Sequence, residues 1–508
     1  MIEPRTSSGR RETVLGLLLI AVGAGLRAWN LAFQSLTYDE LYELGLGAEP
    51  IGRIVHTGDG FPPLYHVLLH GWLSVFGPDP GARWLSWLLG VVSLGVAWRL
   101  GRRTGGSAVG LGTLALLALS PVHVWYSQEG RAYMLFILLA GLGIWLLLRA
   151  LESDAWTDWI AYAMASATGM YTHYYFSFVL VGCAVVVLLR RGLGRSLARP
   201  LAAHAMLAAL CVPLLFLLRA DFQLQADVPT VIRFDLAALG YTFVSLLTGY
   251  TVGPSIRELH TMGLAEAARG FAPLLAVLAP AVAVLAVRGG RVLPRARRLD
   301  LAVMIVLPVL LAGLVGQVGE VGYNVRYVAW IVVPMAVWLG AAVPGWRSPA
   351  VAASLLVVVG VSAVAIWNRH QVDRYMNEDA RAAAAWLGER EDVAPVFVMT
   401  GYMSVPIRHY VGGDREVIPI RGLRGPMSQR IRRAFATLES RVAGGQPYWL
   451  AYTRSFHGDR EGTIRTLLER RHGLAPTARF AGIEIYRGRV PVREPTPPAR
   501  PAVRTSAR

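Results

Sequence analysis

Lysine is absent from this sequence, so its 50 strongly basic residues are all arginines. This absence excludes a Schiff-base lysine and the lysine of a nucleotide-binding P-loop. Cysteine is nearly absent as well, because Cys183 and Cys211 are the only two and both lie in apolar segments. We therefore expect neither a disulfide framework nor a cysteine-based metal site.

Charge is also scarce. Only 16% of the residues are charged, whereas a soluble domain has about 25%. Hydrophobic residues make up 54% of the chain and the mean hydropathy is +0.44, so the composition predicts an integral membrane protein. The net charge of +17 could indicate a nucleic-acid partner, but membrane topology explains most of it, and we expect no nucleic acid.

Long apolar runs, by contrast, are abundant. A membrane span needs about 20 apolar residues, and the first run is interpreted as a retained span because it lacks the small-residue cleavage site of a signal peptide. We predict eleven spans, which cover 13–32, 83–100, 107–125, 131–149, 157–172, 174–190, 200–218, 264–287, 300–319, 326–343 and 350–367.

The distribution of arginine determines the predicted topology. Cytoplasmic loops carry excess positive charge, and a cytoplasmic N-terminus places the arginine-rich stretches 99–103, 190–199 and 288–298 inside. This holds only if the short apolar run 62–76 lies in the outer interface instead of crossing. The region after residue 367 is then extracytoplasmic. We expect a bacterial inner membrane, and a site facing outward cannot use ATP or nucleotide sugars.

The character of the sequence changes after the last span. Residues 1–367 are predicted to form the membrane domain. Residues 368–488 alternate helix-like and strand-like stretches, ending with one strand over 478–487, which predicts a small extracytoplasmic α/β domain. The tail 489–508 is rich in Pro and Arg and is predicted to be disordered. A long outer loop is predicted over 219–263.

The first candidate site residues, Asp39 and Glu40, follow the first span directly. Charged residues near a bilayer are costly and usually functional, so Asp39 could act as a general base on a hydroxyl group. An acidic N-cap of an interfacial helix is an equally favoured interpretation. His56 and His66 lie in the same outer loop and could face a site or bind a metal, although anchoring at the interface is the favoured interpretation.

A second group lies in the short turn between two predicted spans, which contains Gln128, Glu129 and Arg131. Arg131 has the planar donor fork that suits a phosphate. Glu129 could orient Arg131 or contact sugar hydroxyls. A weak surface ion pair between Glu129 and Arg131 is the alternative.

Two later segments add aromatic and basic residues at the predicted outer side. His173 could bind phosphate and Tyr175 could stack on a sugar or isoprenoid, or both could belong to an interfacial aromatic belt. Arg326 and Tyr327 begin a span on the side where arginine is unusual, which favours phosphate binding. Pairing of Arg326 with Glu320 is the alternative.

Together these motifs resemble the GT-C glycosyltransferases, and most closely the branch of the protein O-mannosyltransferases and the bacterial lipid A aminoarabinose transferases. The resemblance covers residues 10–370 and rests on four motifs: Asp39-Glu40, Pro-Pro-Leu-Tyr at 62–65, Tyr-Ser-Gln-Glu-Gly-Arg-Ala-Tyr at 126–133 and Arg-Tyr at 326–327. It implies an all-α polytopic membrane domain. It also implies inverting transfer of a sugar from a polyprenyl-phosphate donor to a lipid, polysaccharide or protein acceptor on the extracytoplasmic face.

The same resemblance implies residue roles. Asp39 matches the catalytic aspartate, Glu129 and Arg131 match positions near the donor phosphate, and Arg326 sits where the family often keeps a basic residue. The other predicted donor-site residues are Glu40, His173, Tyr175 and Tyr327, and the accessory candidates are His56, His66, Gln128 and Glu320. No cofactor is firmly implied, and a divalent metal has no clear ligand cluster in the sequence.

Two alternatives stay open. A lipid-linked glycan ligase or polymerase usually carries paired arginines in a large late outer loop, whereas the polar signature here is in the first loop. A flippase or transporter of lipid-linked sugars should show charges within its spans or a repeated half, and neither is evident in the sequence.

Overall fold

The chain forms two compact units in a computed structural model, which describes residues 7–56, 61–78, 80–194, 197–226, 234–318, 323–413 and 415–492. The membrane unit contains the residues up to Gln34 and Asp39–Met376. The C-terminal unit contains Ser35–Tyr38 and the chain from Asn377 onward.

Within its described residues the membrane unit contains helices and no strand. Two 3-10 helices, Val325–Ile331 and Val343–Gly345, lie on either side of the short α-helix Val332–Gly340. The α-helices are α1 Ser7–Ala28, α2 Tyr38–Gly47, α3 Ile51–His56, α4 Leu64–Phe76, α5 Gly81–Gly105, α6 Ser107–Ala118, α7 Pro121–Ser127, α8 Tyr133–Ser153, α9 Trp156–Met170, α10 Phe176–Arg191, α11 Ala198–Ala226, α12 Leu236–Thr248, α13 Ile256–Leu259, α14 Leu264–Val292, α15 Arg295–Val318, α16 Val332–Gly340 and α17 Pro349–Gln371.

Seven helical segments of the described chain are long and apolar enough to cross a membrane, and the bent pair of α6 and α7 would make an eighth. The seven are α5, α8, α11, α14, α15, α17 and the stretch Val325–Gly345. The protein is therefore a multi-span membrane protein, and the number of eleven spans stays a prediction. Two further predicted spans correspond to α9 and α10, which have 15 and 16 residues. The run 62–76 forms the 13-residue helix α4.

A break of 63° between α6 and α7 directs the chain into the second predicted outer turn. Pro121 occupies the first turn of α7, where its missing N–H costs nothing, and the Ser120 hydroxyl caps that helix. The last carbonyls of α6, those of Leu117 and Ala118, each accept a hydrogen bond of 2.9 Å from the buried Arg27 guanidinium. Because a helix end leaves carbonyls unpaired, Arg27 stabilises the break.

The loop predicted over 219–263 lies between two apolar helices and itself contains helical segments. Helix α11 continues to Ala226, and α12 and α13 lie between it and α14. Helix α12 begins where the Asp235 carboxylate accepts a hydrogen bond of 2.8 Å from the Ala238 N–H. Such a cap favours a helix in a short apolar stretch. Residues 227–233 lie outside the described part of the chain.

The C-terminal unit is a five-stranded mixed sheet with helices on both faces. The strand order is β2-β1-β3-β5-β4, with β2, β1 and β3 parallel and β5 and β4 antiparallel to their neighbours. Its elements are α18 Ala380–Gly388, β1 Val396–Val398, α19 Ser404–Val411, β2 Val417–Pro419, α20 Met427–Arg441, β3 Pro447–Thr453, α21 Thr463–His472, β4 Ala475–Phe480 and β5 Ile483–Arg489.

The single strand predicted over 478–487 is wrong, because this stretch contributes to two strands that form a hairpin. Gly482, with φ of +66°, makes the tight turn between β4 and β5. Helices α18 and α19 pack on one face of the sheet through residues such as Leu387 and Ile407. Helices α20 and α21 pack on the other face through Leu438 and Leu468.

Candidate active site

Helix α2 presents three acidic side chains, and their spacing determines which of them meet. Asp39 and Glu43 are four residues apart and therefore share one face of the helix. Both contact the Arg131 guanidinium, whose Nη1 lies 2.6 Å from Asp39 Oδ2 and whose Nε lies 3.3 Å from Glu43 Oε1. Glu40 points in another direction. The structure thus brings together the first and second predicted loops.

Asp39 is the most accessible carboxylate of this group, with 43% of its side chain exposed. Its Oδ2 atom also lies 3.6 Å from Arg326 Nη1, so two guanidinium groups converge on one oxygen. Arg131 is 8% exposed and Arg326 is 36% exposed. An accessible carboxylate between two cations can accept a proton, while the cations can bind an anion.

Glu40, by contrast, is enclosed. Its two carboxylate oxygens accept hydrogen bonds of 2.7 and 2.8 Å from Arg83, and Oε1 also accepts one of 3.0 Å from the Gly130 N–H. Arg83 donates further to the carbonyl oxygens of Leu31 and Gln34. Glu40 therefore joins the segment after α1, the start of α5 and the second turn.

Glu43 and Arg83 are two residues of this cluster that sequence reasoning missed. Glu43 Oε2 lies 2.5 Å from His66 Nε2, and both side chains are 3% exposed. The position of Glu43, four residues after Asp39, was a usable signal. Arg83 was not recognised as a site residue because it is the first residue of a predicted span. Basic residues commonly flank such apolar segments.

The polar side chains of the second predicted outer turn, which contains Gln128 and Arg131, point in different directions. Gln128 points inward: its amide donates to the carbonyl oxygens of Arg27 and Trp29 and accepts a 3.0 Å hydrogen bond from Arg369 Nε. It therefore acts as a brace between helices α1 and α17. Arg131 leaves the turn on the side of Asp39.

Glu129 lies near the arginines of the site. Burial raises the pKa of its carboxyl above the usual range, although Arg131 and Arg326 oppose this shift. Arg369 also lies within electrostatic range of Glu129. Glu129 is thus surrounded by cationic groups that an anionic ligand could share.

Aromatic rings line the same region. His173 stacks on Phe136 at 4.8 Å between ring centroids, and Tyr175 stacks on Tyr327 at 4.2 Å. Burial lowers the pKa of His173 to about 3, with Arg131 contributing to the same shift, so its ring is neutral. Its Nδ1 accepts a hydrogen bond from the Tyr175 N–H, and the buried Nε2 has no partner among the described residues.

Two accessory candidates, His56 and Glu320, are not found in the cluster around Asp39 and Arg131. His56 ends helix α3 at an exposed position, where its ring contacts the Gly52 carbonyl oxygen at 2.7 Å. Glu320 lies outside the described residues. Within the described ranges no group of three or more His, Cys, Asp or Glu side chains could hold a metal ion.

Comparisons with known proteins give one family and several solved structures. The family model for dolichyl-phosphate-mannose-protein mannosyltransferases matches residues 61–218, and no curated protein matches the sequence. ArnT of Cupriavidus metallidurans in the apo state shares 14% identity with a TM-score of 0.57, over 94% of this chain and 98% of that chain. The chain has the GT-C fold.

Two further GT-C structures come from Archaeoglobus fulgidus. Its apo oligosaccharyltransferase shares 12% identity with a TM-score of 0.55, over 91% of this chain and 70% of that chain. The A. fulgidus oligosaccharyltransferase AglB in complex with an inhibitory peptide and a dolichol-phosphate gives a TM-score of 0.50 at 12% identity, over 94% of this chain and 74% of that chain. The predicted GT-C class and the resemblance to the O-mannosyltransferase and ArnT branch are therefore confirmed.

Proposed function

We propose that this GT-C protein is an inverting glycosyltransferase. It moves a sugar from a polyprenyl-phosphate donor to a hydroxyl acceptor on the extracytoplasmic face of a bacterial inner membrane. The observation that carries the proposal is the accessible Asp39 carboxylate, 2.6 Å from Arg131 and 3.6 Å from Arg326. The complex of the A. fulgidus enzyme with a dolichol-phosphate supports a prenyl phosphate as ligand.

The proposed reaction needs one base and two cations. Asp39 removes the proton of the acceptor hydroxyl, and the acceptor oxygen attacks the anomeric carbon as the bond from that carbon to the phosphate oxygen breaks. Polyprenyl phosphate leaves with the bonding electron pair. Hydrolysis of an ordinary glycoside needs an acid to protonate an alkoxide. A phosphate is a far better leaving group, so charge stabilisation by Arg131 and Arg326 replaces that acid.

The remaining predicted residues support this geometry. Glu40 holds Arg83 and the backbone of the second turn, so we assign it to positioning rather than to donor contact. The neutral His173 and the stacked pair of Tyr175 and Tyr327 offer flat surfaces for a sugar ring or the first isoprene units. Glu129 lies within electrostatic range of Arg131 and Arg326, the two arginines that we assign to the phosphate.

The decisive experiment is sugar transfer by the purified full-length protein in lipid, with a panel of radiolabelled polyprenyl-phosphate monosaccharides. We expect donor consumption, or slow donor hydrolysis, that falls about 10²- to 10⁴-fold in the Asp39→Asn variant. Asp235→Asn is the matched control, because it makes the same chemical change at a helix cap. Unchanged transfer by Asp39→Asn would disprove the assignment of the base, and a panel that neither reacts nor binds would disprove the donor class.

The predicted topology is part of the proposal. The proposal keeps the boundaries predicted from the sequence, with the membrane spans within residues 1–367, the extracytoplasmic domain over 368–488 and the tail over 489–508. Single cysteines at positions 80 and 103, in a background without the two native cysteines, test it. We expect an impermeant thiol reagent to label position 80 from outside and position 103 only from inside. Labelling of position 103 from outside would contradict the eleven-span arrangement.

A further inference from the structure

The parallel strands of the C-terminal unit contain a topological switch point between β1 and β3. These strands are neighbours, with Phe397 opposite Leu450. After β1 the chain enters α19 on one face of the sheet, and after β3 it leads to α21 on the opposite face. The two connections therefore diverge. In open α/β sheets, ligands bind outside the carboxyl ends of the strands at such a point.

Aromatic and polar side chains gather at this edge. Tyr402 follows β1, and its ring lies 5.2 Å from Tyr38 and 5.7 Å from His457, which follows β3. His457 is exposed and the two tyrosines are half-buried. The Arg454 guanidinium lies 5.8 Å from the Tyr402 ring, and its Nη1 donates to the tyrosine hydroxyl at 3.3 Å.

Arg454 is held there against its backbone preference. Its φ is +42°, in the left-handed region that is unfavourable for a non-glycine residue. The side chain forms a bidentate pair with Glu378, with hydrogen bonds of 2.8 and 2.9 Å. Thr400 supports the same turn, because its hydroxyl donates to the carbonyl oxygens of Thr453 and Arg454. The strain is thus compensated by a network built around this edge.

The chemistry of this edge favours a neutral, hydroxyl-rich ligand. The Arg454 charge is neutralised by the buried Glu378, so the pair offers the remaining guanidinium N–H donors instead of a net cation. Rings of Tyr402, Tyr38 and His457 combine an apolar face with a polar tip. A sugar presents the complementary pattern, because it has apolar C–H faces and a rim of hydroxyl groups.

We infer that the carboxyl edge of β1 and β3 is a carbohydrate-binding subsite, which we call the switch-point subsite, formed by Tyr38, Tyr402, Arg454, His457 and Glu378. It takes a neutral glycan, which makes the acceptor of the proposed transfer a saccharide hydroxyl. This inference rests on the proposed function for its biological meaning. Tyr38 immediately precedes Asp39 in the sequence.

Saturation-transfer NMR on the full-length protein in nanodiscs tests the subsite without requiring turnover. The probes are maltotetraose, mannotetraose and galactotetraose. We expect at least one to receive saturation from the wild-type protein, and its dissociation constant to rise about fivefold in Tyr402→Ala and in His457→Ala, because each removes one aromatic contact. His409→Ala is the matched control, since His409 is an exposed histidine on α19 of the same unit.

The outcomes separate this inference from the proposed function. His457→Ala removes an exposed side chain, so its result does not depend on an altered fold. Binding that is equal in the wild type and both subsite variants, or that falls equally in His409→Ala, would overturn the subsite, as would a complete lack of binding. Asp39→Asn should bind the glycan like the wild type while losing transfer. Transfer retained by Asp39→Asn would instead contradict the proposed base.

Discussion

Two neighbouring carboxylates, Asp39 and Glu40, occupy opposite environments within one turn of helix α2. Asp39 is 43% exposed and shares one oxygen with Arg131 and Arg326. Glu40 is 1% exposed and uses both oxygens on Arg83 and a backbone N–H. The same acidic motif therefore contains one group that a substrate can reach and one that only the protein contacts.

This difference in exposure indicates that Asp39 serves the reaction and that Glu40 serves the stability of the fold. A buried ion pair contributes little net stability when it is complete, but loss of one partner leaves an unpaired buried charge. An accessible carboxylate is solvated and can be neutralised at low cost to the fold. We therefore expect changes at Asp39 to affect transfer and changes at Glu40 to affect folding. Substitutions at each site, and measurements of both folding and ligand binding, test this division.

The largest expected effect on folding is that of Glu40→Gln. The substitution leaves Arg83 buried without its carboxylate, so the free energy of unfolding should fall by about 3–5 kcal/mol. Thermal unfolding in detergent measures this, with Glu416→Gln as the control, because Glu416 belongs to an exposed pair with Arg441 at 3.8 Å. Asp39→Asn should unfold close to the wild type. Equal destabilisation by both substitutions would contradict the division.

Arg131→Lys should weaken binding of a prenyl phosphate, because lysine cannot reproduce the fork that meets Asp39 and Glu43. A lost hydrogen bond to a charged group corresponds to about 1.5–3 kcal/mol, or roughly a 10- to 150-fold rise in the dissociation constant. Arg326→Lys should have a smaller effect, since Arg326 is more exposed. Titration with undecaprenyl phosphate checks the order, and a larger effect at position 326 would reverse our ranking.

Tyr327→Ala should reduce donor affinity modestly. It removes one ring of the pair stacked at 4.2 Å with Tyr175, which corresponds to about 1 kcal/mol. Tyr327→Phe keeps the ring and should bind the donor like the wild type. The comparison requires a donor that carries its sugar and a prenyl phosphate without sugar. An equal loss for both ligands assigns the pair to the prenyl chain, and no loss for either removes it from the donor site.

The smallest expected effect concerns pH and Glu129. Burial raises the pKa of this carboxyl in the folded state, so the folded protein holds the proton to higher pH than the unfolded chain does. The contribution of this raised pKa to the free energy of unfolding is present at low pH and is lost as pH rises through the folded-state pKa of Glu129. Glu129→Gln should therefore gain stability relative to the wild type as pH rises. Thermal unfolding from about pH 4 to about pH 8 measures this, and a constant difference would contradict it.

Sequence reasoning could identify residues that meet across the site, because their chemistry is unusual for their position. Asp39, Arg131 and Arg326 each stand where a polar group is costly, and the structure brings them together. Sequence reasoning could not assign the role of Gln128, because the direction of its side chain depends on how α1 and α17 pack. Glu43 was overlooked because it lies after the acidic pair, although helical spacing connects it to Asp39.

The errors in the fold have similar causes. A stretch of alternating residues does not indicate where a hairpin turns, so β4 and β5 were merged despite Gly482. The prediction for 219–263 specified no secondary structure, so the 13-residue helix α12 was not anticipated. For β4 and β5 the predicted element type was correct, and tertiary pairing determined where each strand ends.

Arg27 has a consequence for the synthesis of this protein. One of its hydrogen bonds goes to the Gly23 carbonyl of its own helix, but its other partners, the carbonyls at the end of α6 and the His123 ring, lie 90 to 96 residues later in the chain. An arginine within a membrane segment costs about 2.5–3.5 kcal/mol when it must enter lipid without partners. The first helix therefore leaves the ribosome long before its arginine can be satisfied. If the predicted first span is correct, we expect this helix to reach its final depth in the bilayer only after the helical break at residues 119–120 has been translated.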